Sequence, residues 1–498
     1  MEITTHLSRV IVNERDVWKR KRPVELGFVD FRTIEARKAA CDAEVALNRR
    51  LAPDVYYGVD PILDGGETVD WAVHMRRLAQ EARADDLLAR GALGRVELDL
   101  VATTLAEFHA SARSDADVAR FGSALAVRFN VEENFEQTKT TIGDYLLPTE
   151  VRELAAWQRT ILRERATLIA DRAASGRVRD GHGDLRLEHV YFEPGRARPT
   201  IIDCIEFADR FRFADVCADV AFLSMDLAAH GRVDLAEHFL ARYARAANDY
   251  DLYDLVDFYE SYRATVRGKV AAILARDPNA PGDTRAEAAR EARRSFALAL
   301  AADRRPLLRP SLVAIGGLIA SGKSTIAELV ARETSAPVID ADRTRKSMLG
   351  KEPTERIEDA AWSGAYDPTF TESVYAEVLR RADAVLRSGR PVVIDASFRS
   401  PAMRASARAL ARRHGAPFHF VECRAPHDVC RARLLKRATQ TRVSDGRVAI
   451  FDAFASKWEA PREILPEELV VLDTTRSEIE QLAVLRSNID VWPLGLAG

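Results

Sequence analysis

The 498-residue sequence is poor in the features that mark secreted and membrane proteins. Its five cysteines are odd in number and form no Cys-x-x-Cys pair, which indicates neither a disulfide framework nor a zinc site. No stretch approaches the roughly 20 apolar residues of a membrane span, and the first residues lack the apolar core of a signal peptide. We therefore expect a cytoplasmic protein with no membrane partner.

An excess of charge of one sign is also absent. The 73 basic and 76 acidic side chains leave a formal net charge of −3, which argues against a surface that binds nucleic acid or membrane throughout. With 47% hydrophobic residues, the chain can bury sizeable cores, and its length corresponds to roughly two to four domains. Small anionic partners fit this composition best.

The N-terminal part of the chain begins with strands and continues with helices. Alternating residues predict two short strands between His6 and Trp18 and a further one at 68–76. Apolar residues then recur at helical spacing, as in 216–227. This pattern indicates an α+β, bilobal module, with a small lobe over about 1–77 and a helical lobe over about 78–305.

A second module follows a proline-containing loop near Arg305 to Pro310. From Ser311 onward, apolar strands alternate with helical segments, and the strands read LVAIGG, APVID, PVVID, FHFVEC and LVVLD. This alternation is typical of a parallel sheet covered by helices on both faces. The sequence thus predicts a multidomain fold that ends in an α/β domain over 306–498.

The segment GLIASGKST follows the first of these strands and opens a helix, as a phosphate-binding loop does. In such a loop the backbone N–H groups face the phosphates, the lysine reaches the β- and γ-phosphates, and the serine hydroxyl holds Mg²⁺. We therefore expect ATP or GTP to bind here with Mg²⁺. The residues assigned to the nucleotide are Gly317, Ser321, Gly322, Lys323, Ser324 and Thr325.

Carboxylates stand at the ends of two further strands: Asp395 closes PVVID, while Asp340 and Asp342 close APVID. Ligands of open α/β sheets lie beyond the carboxyl ends of strands, so we expect these acids near the phosphates. Asp395 is the candidate Mg²⁺ ligand, unless it only caps the next helix. Asp342 is the candidate for orienting or deprotonating an acceptor hydroxyl, with Arg343 and Arg345 beside it for an anionic acceptor. The alternative for Asp342 is a helix cap or a surface ion pair.

An arginine-rich segment, CRARLLKRATQTRVSDGR, comes late in this domain. Guanidinium groups neutralise charge on a transferring phosphoryl group, so we expect one or two of these arginines on a mobile lid and the others on a solvated helix face. Catalysis at this site is assigned to Lys323, Asp342 and Arg437. The remaining arginines of the segment are Arg431, Arg433, Arg442 and Arg447.

These motifs together resemble the small P-loop kinases related to zeta toxins and polynucleotide kinases, over about Leu312 to Leu472. The resemblance rests on the Walker A loop, the acidic pair, the VVIDASF strand and the arginine lid ending in SDGR. It implies transfer of phosphate to a hydroxyl. The family more often shows SDA where this chain has Ser444, Asp445 and Gly446.

The N-terminal module carries a second constellation, in which HGDLRLEHV and IIDCIEF supply Asp184, His189 and Asp203. Kinase-like phosphotransferases use a catalytic Asp, a metal-binding Asn five residues later and a metal-binding Asp on a nearby strand. Asp184 and Asp203 match this pattern, whereas His189 stands where Asn is expected.

Upstream residues complete the same pattern. Lys19 and Glu44 are the candidates for the nucleotide-binding lysine and its ion-pair partner, although Lys21 competes with Lys19. The alternative for these residues is a solvated face. No glycine occurs between Ser8 and Trp18, so a glycine-rich loop over the phosphates is not evident.

Residues from about His6 to Tyr259 resemble the aminoglycoside and choline phosphotransferase branch of the kinase-like fold. The tandem arrangement resembles a bacterial two-domain family described as a predicted kinase. By that resemblance Asp184 is the catalytic base, and Asp203 with His189 holds a metal. A histidine ligand favours Mn²⁺ as an alternative to Mg²⁺ at this site. The alternative is that His189 only hydrogen-bonds nearby backbone and that Asp203 alone holds the metal.

Three functions fit these observations. The first is an ATP-dependent phosphotransferase with two nucleotide sites that act on hydroxyls of small molecules, phosphorylated or otherwise anionic. The second is a C-terminal P-loop kinase regulated by a degenerate, ligand-binding N-terminal module. The third, a nucleotide-dependent switch, is disfavoured by the expected acceptor pocket with Asp342 and Arg345. Shared motifs do not identify the acceptor; nucleic acid is not expected, although a polynucleotide 5′ end stays open.

Overall fold

The computed structural model describes residues 1–4, 7–25, 29–301, 308–437 and 443–492. The chain divides into two units, of which the first comprises Met1–Phe239 and Leu255–Asp303, and the second comprises Leu240–Asp254 and Arg304–Gly498. His6, Arg442 and the predicted boundary between residues 305 and 306 lie outside the described residues.

An antiparallel sheet forms the small lobe of the first unit, in the strand order β1-β2-β3-β5-β4. Its strands are β1 (Glu2–Thr4), β2 (Ser8–Val12), β3 (Asp16–Lys21), β4 (Tyr56–Asp64) and β5 (Glu67–Arg76). Helix α1 (Ile34–Asn48) begins at Thr33, whose hydroxyl accepts a hydrogen bond from the Ala36 amide. Cys41 and Val45 of this helix pack with Val73 of β5 in one apolar core. Because β3 is an inner strand, its side chains on the helix side are fixed against α1.

The chain continues mainly as helices, interrupted by two short strand pairs, β6 with β9 and β7 with β8. The strands are β6 (Val178–Asp180), β7 (Val190–Tyr191), β8 (Thr200–Ile201) and β9 (Phe213–Asp215). The helices are α2 (Ala84–Ala89), α3 (Arg95–Ser111), α4 (Ala116–Ala119), α5 (Ala124–Thr138), α6 (Pro148–Glu164), α7 (Ala166–Ala174), α8 (Asp209–Arg212), α9 (Val216–Ala229), α10 (Val233–Ala246), α11 (Val256–Ala275) and α12 (Gly282–Leu300). Phe222, Ala264 and Phe296 join α9, α11 and α12 in a buried core.

A parallel sheet in the order β11-β12-β10-β13-β14 forms the centre of the second unit. Its strands are β10 (Leu312–Gly317), β11 (Val338–Asp340), β12 (Val392–Asp395), β13 (Phe418–Arg424) and β14 (Leu469–Asp473). The surrounding helices are α13 (Lys323–Thr334), α14 (Ala341–Met348), α15 (Pro368–Arg387), α16 (Pro401–Arg413), α17 (His427–Arg437), α18 (Val448–Ala455) and α19 (Glu478–Asn488). The register places Asp340 beside Asp395 at the same edge of the sheet.

The second unit also includes a segment that is distant in sequence, Leu240–Asp254. Within this unit the Tyr250 hydroxyl donates to the Val338 carbonyl at 2.7 Å. Arg245 pairs with Glu328 of α13 at 2.8 Å. These contacts hold the start of β11 and the helix that follows the phosphate loop.

The fold class expected from the sequence is confirmed, because a bilobal α+β unit and an α/β unit with a parallel sheet are both present. Each of the five apolar strands predicted after Ser311 is a strand of that sheet. Strand β4 was not predicted from the sequence. Among the described residues, no helix combines the length and the apolar character needed to cross a membrane.

Candidate active sites

The phosphate loop turns sharply between β10 and α13, and two glycines make the turn. Gly317 and Gly322 have φ angles of +144° and +103°, which L side chains rarely adopt. A Cβ on Gly317 would meet the Cys423 carbonyl at 2.6 Å, and one on Gly322 would meet Thr474 at 3.0 Å. The loop backbone therefore lies directly against the chain at the ends of β13 and β14.

Hydrogen bonds from neighbouring side chains fix the loop further. The Thr474 hydroxyl donates to the Ser321 carbonyl at 2.6 Å, and Arg433 donates to the Thr474 carbonyl at 2.7 Å. Arg433 thus supports the loop from behind. Lys323 Nζ donates to the Leu318 carbonyl at 2.8 Å. Ser324 and Thr325, which the sequence assigns to the nucleotide, are exposed in the first turn of α13.

Two buried carboxylates lie beside this loop. Burial, followed by the neighbouring carboxylates of Asp395 and Asp342, raises the pKa of Asp340 to about 7. Burial also raises the pKa of Asp395, although Lys323 and a hydrogen bond from the Ser324 hydroxyl oppose the shift. Asp395 does not cap the next helix, since α16 begins after Ser400. The Asp395–Ser324 pair and the crowded carboxylates form an oxygen-rich setting that fits Mg²⁺.

Asp342 faces the same site from α14, which Asp340 caps by accepting from the Arg343 amide at 2.8 Å. The Asp342 side chain is 31% exposed and pairs with Arg345 at 2.7 Å. Arg343, the other arginine expected here, points elsewhere and donates to the Arg245 carbonyl at 3.4 Å. One cavity of about 100 Å³ joins Lys323, Ser324, Asp340, Asp342, Arg345, Asp395, Arg399 and Arg437.

The arginines of the predicted lid divide into different roles. Arg437, at the end of α17, lines the cavity. Arg431 pairs with Asp452 on the exposed side of the unit, and Arg447 donates to the Ile357 carbonyl at 3.2 Å. Arg431, Arg433 and Arg447 thus contact other groups. Among the described residues of this segment, Arg437 is the arginine that faces the cavity.

A buried lysine anchors the SDG segment. Lys346 is fully buried, and its Nζ donates to the Val443 carbonyl at 2.7 Å and pairs with Asp445 at 3.1 Å. Asp445 in turn accepts from the Ile357 amide at 3.1 Å. Asp445 therefore ties the SDG segment to α14.

The first unit contains a compact network of five charged side chains. Lys19 Nζ lies 2.9 Å from Glu44 and 2.6 Å from Asp203. Lys21 Nζ lies 2.6 Å from Glu44 and also pairs with Glu206. Both lysines thus contact Glu44, but it is Lys19 that joins Asp203. Burial by itself would lower the pKa of Lys19, but the nearby carboxylates, Asp203 first and Glu44 second, raise it well above its usual value.

The HGD segment is held by Asp219 of α9, which is buried. Its carboxylate accepts from the amides of His182 at 2.6 Å and Gly183 at 2.8 Å. His182 Nε2 donates to the Ile202 carbonyl at 2.9 Å, which joins the loop to the chain just before Asp203. This scaffold brings Asp184 and Asp203 into one site.

Arg186 is the partner of the candidate base. Its Nη2 lies 3.1 Å from Asp184, and a second amino group pairs with Glu188. Arg186 and then His189 outweigh desolvation and lower the pKa of Asp184 to about 2. Asp184 is therefore a carboxylate in the pH range where the protein would work.

The His189 ring is held by a backbone contact. Its Nδ1 lies 2.6 Å from the Asp184 carbonyl, and since a carbonyl only accepts, Nδ1 carries a proton and Nε2 is the nitrogen that faces Asp203. Nε2 lies 3.6 Å from Asp203 Oδ2. Two ligand atoms that each bind one ion at about 2.1 Å stand at most about 4.2 Å apart, so this spacing fits a shared metal.

The backbone at Asp203 supports a functional role for this residue. Its φ of +69° is unusual for a residue other than glycine, and such strain concentrates at functional positions. Lys19 and then His189 outweigh desolvation and hold the pKa of Asp203 well below its usual range. Within the described ranges no group of three or more His, Cys, Asp or Glu side chains is arranged for a metal, so a metal here would also need water or phosphate oxygens.

Several residues of the two sites were not predicted from the sequence. Asp219 could have been recognised from the sequence, because it is an aspartate within the apolar run of α9. Arg186 lies two residues after Asp184 in the same motif. Lys346 and Arg399 carried no local signal, since their partners are far away in the sequence.

Comparisons with known proteins find a matching family model, a mycobacterial relative and similar solved structures. The AAA_33 model, described as an AAA domain, matches residues 312–461. The protein named Uncharacterized protein Rv2004c, from Mycobacterium tuberculosis, is 33% identical over 465 residues, which are 92% of this chain and 91% of that protein. The GDP complex of aminoglycoside 2′-phosphotransferase-IIIa is 16% identical, with a TM-score of 0.38, and covers 59% of this chain and 91% of its own. A sugar kinase from Janibacter sp. HTCC2649 is 20% identical, with a TM-score of 0.29, and covers 37% of this chain and 96% of its own.

The role of Lys346 yields a stability prediction. Lys346→Met removes one member of a buried ion pair and leaves Asp445 without its cation, so the free energy of unfolding should fall by about 3–5 kcal/mol. Lys351→Met is the matched control, because Lys351 pairs with Glu355 at the surface and exposed pairs contribute about 0–1 kcal/mol. Urea unfolding of the full-length variants measures both. Equal stability of the two variants would contradict the anchoring role.

Proposed function

The chain belongs to the same family as the mycobacterial protein Rv2004c, and we propose that it is an ATP-dependent phosphotransferase with two nucleotide sites. Each site would transfer the γ-phosphate to a hydroxyl of a small molecule. One observation carries the proposal: the second unit brings a phosphate-binding lysine, a serine–aspartate pair and a further aspartate with its arginine into a single cavity. A nucleotide-dependent switch would not need the last of these groups.

At the P-loop site the roles follow from position. Lys323 and Arg437 would neutralise the charge of the phosphates, and Asp342 would accept the proton of the acceptor hydroxyl. The hydroxyl oxygen attacks the γ-phosphorus, the bond to the β–γ bridging oxygen breaks, the proton passes to Asp342, and ADP leaves. Ser324 and Asp395 would hold Mg²⁺, which supplies further positive charge to the β- and γ-phosphate oxygens.

At the site of the first unit, Lys19 would orient the phosphates while Glu44 holds its ammonium in place. Asp184 would take the proton of the acceptor hydroxyl, and Arg186 would balance charge beside it. Asp203 and His189 would hold the metal, which supplies charge neutralisation at the phosphates. Because imidazole is a borderline ligand and Mg²⁺ prefers oxygen donors, Mn²⁺ suits this pair better than Mg²⁺.

A second candidate function makes the first unit a regulatory, ligand-binding module and leaves catalysis to the P-loop unit. The observation that favours it is the connection between β2 and β3, which contains no glycine to cover the phosphates closely. The two candidates make different predictions for variants of each site.

The first prediction concerns nucleotide binding. In the full-length protein, Lys323→Ala should weaken Mg-ATP binding at one of two sites by at least about 30-fold, because removing a buried ionic partner costs about 2–5 kcal/mol. Calorimetric titration should show the loss of one equivalent of bound nucleotide. Lys457→Ala, at an exposed position of the same unit, is the control. If Lys323→Ala still binds two equivalents of nucleotide with unchanged affinity, the assignment of Lys323 to the nucleotide site is wrong.

The second prediction separates the two sites. Asp184→Asn and Lys323→Ala should each remove a different part of the ATP consumption measured against sugars, aminoglycosides, nucleosides and polynucleotide 5′ ends. Each acceptor should depend on one of the two residues. If Lys323→Ala alone abolishes turnover of every acceptor and Asp184→Asn abolishes none, the regulatory function is the correct one.

The third prediction tests His189 as a metal ligand. His189→Asn replaces the imidazole with an oxygen donor, so the metal preference of the Asp184-dependent activity should shift from Mn²⁺ toward Mg²⁺. The ratio of the rates with the two metals, measured in the Lys323→Ala background, reports the shift. An identical ratio in the variant would show that His189 only positions the loop.

A further inference from the structure

Three aromatic side chains form a cluster at the P-loop cavity. The Trp362 and Phe454 rings stack with centroids 4.6 Å apart, and Tyr366 meets Phe454 edge-on at 5.8 Å. Tyr366 and Phe454 both line the cavity. Trp362 has a φ of +68°, a conformation that persists only where the surrounding contacts impose it.

Each end of this aromatic cluster carries an arginine. The Arg399 guanidinium lies over the Trp362 ring at 4.4 Å from its centroid, and the Arg345 guanidinium lies over the Tyr366 ring at 5.0 Å. Both arginines line the cavity. Stacking on an aromatic face fixes a guanidinium while leaving its N–H edge free to bind an oxyanion in a bidentate manner.

The charges of these two arginines are not fully balanced by the protein. No carboxylate in the described part of the chain pairs with Arg399. Arg345 is 6% exposed, and although its Nη1 contacts Asp342, its buried Nε has no hydrogen-bond partner among the described residues. Desolvation and then the like charge of Arg345 lower the pKa of Arg399. An anion that contacts both guanidinium groups would balance their charge and accept hydrogen bonds from their open donors.

The two arginines are distinct from the groups that would hold the phosphates of the donor. Lys323 belongs to the phosphate loop and Arg437 to the lid segment, whereas Arg345 and Arg399 lie with Asp342 and the aromatic cluster. An anion bound by Arg345 would therefore stand beside Asp342, the candidate base, with its hydroxyl available for the transfer.

Building on the proposed phosphotransferase activity, we propose that the acceptor of the P-loop site is itself an anion, whose phosphate or carboxylate group binds to Arg345 and Arg399. The aromatic cluster holds the guanidinium groups, and the oxyanion positions the hydroxyl at Asp342. Neutral polyols would lack this anchor.

Binding of an inorganic oxyanion tests the site without turnover. The full-length protein is first saturated with Mg²⁺ and adenylyl imidodiphosphate, so that the donor phosphates fill the loop, and sulfate is then titrated by calorimetry. Arg399→Met keeps a side chain on the Trp362 ring but removes the charge, and it should weaken sulfate binding about 10- to 100-fold. The sulfate affinity of Arg399→Lys should lie between those of the wild type and Arg399→Met.

Arg412→Met is the matched control, since Arg412 is exposed on α16 and distant from the cavity lining. Sulfate binding that is equal in wild type and Arg399→Met, or absent from wild type, overturns the anion site. Failure of adenylyl imidodiphosphate to bind, with sulfate binding still dependent on Arg399, would instead overturn the P-loop kinase function and leave the anion site standing.

Turnover of matched acceptors distinguishes phosphate from carboxylate. Glucose, glucose 6-phosphate and gluconate are compared with glycerol and glycerol 3-phosphate, and the rate of ADP formation is followed in the Asp184→Asn background. A preference for phosphate esters or for carboxylates identifies the anionic group, and Arg399→Met should raise KM for the preferred acceptor far more than it lowers kcat. Preference for the neutral members, unchanged in Arg399→Met, contradicts the proposal.

Discussion

The crowding of carboxylates at one edge of the parallel sheet is the constraint around which the second unit is arranged. Parallel pairing of β11 with β12 sets Asp340 directly beside Asp395, and both are buried. Burial and then the neighbouring carboxylate of Asp395 raise the pKa of Asp340 to about 7, since two such groups cannot both ionise without nearby positive charge. The start of α13 and Lys323 supply part of that charge. A bound cation would supply the rest, so metal binding and the ionisation of this pair are linked.

In the first unit, buried carboxylates are balanced by lysine side chains of the same unit. Glu44, Asp203 and Glu206 are matched by Lys19 and Lys21, so most of the charge is compensated before any ligand arrives. A nucleotide phosphate would have to compete with Asp203 for Lys19. In the proposed phosphotransferase, a metal on Asp203 and His189 would release Lys19 for the phosphates, so metal and nucleotide would bind together.

Local sequence was sufficient to predict the elements that carry strong periodicity, but not the contacts that join distant segments. The strands of the second unit are short and largely apolar, and the phosphate loop has a fixed spacing. Strand β4 was missed because Gly58 and Pro61 interrupt its pattern; as an edge strand, β4 tolerates a proline. The contact of Arg399 with Trp362 joins two loops, and the local sequence of neither loop predicts it. Likewise, nothing in the sequence of Leu240–Asp254 indicates that it belongs with the second unit.

The three carboxylates of the P-loop cavity differ in what already occupies them, and this difference supports one assignment of the base. Asp340 is engaged as the cap of α14, through the Arg343 amide. Asp395 lies beside the Ser324 hydroxyl and lines the same cavity. Asp342 is the more exposed of the three, and its partner Arg345 stands where an anionic acceptor would bind. A base must reach the hydroxyl of the acceptor, whereas a metal ligand must reach the phosphates of the donor. On these grounds we propose Asp342 as the proton acceptor and Asp395 as the metal ligand, with Asp340 fixing the helix that presents Asp342.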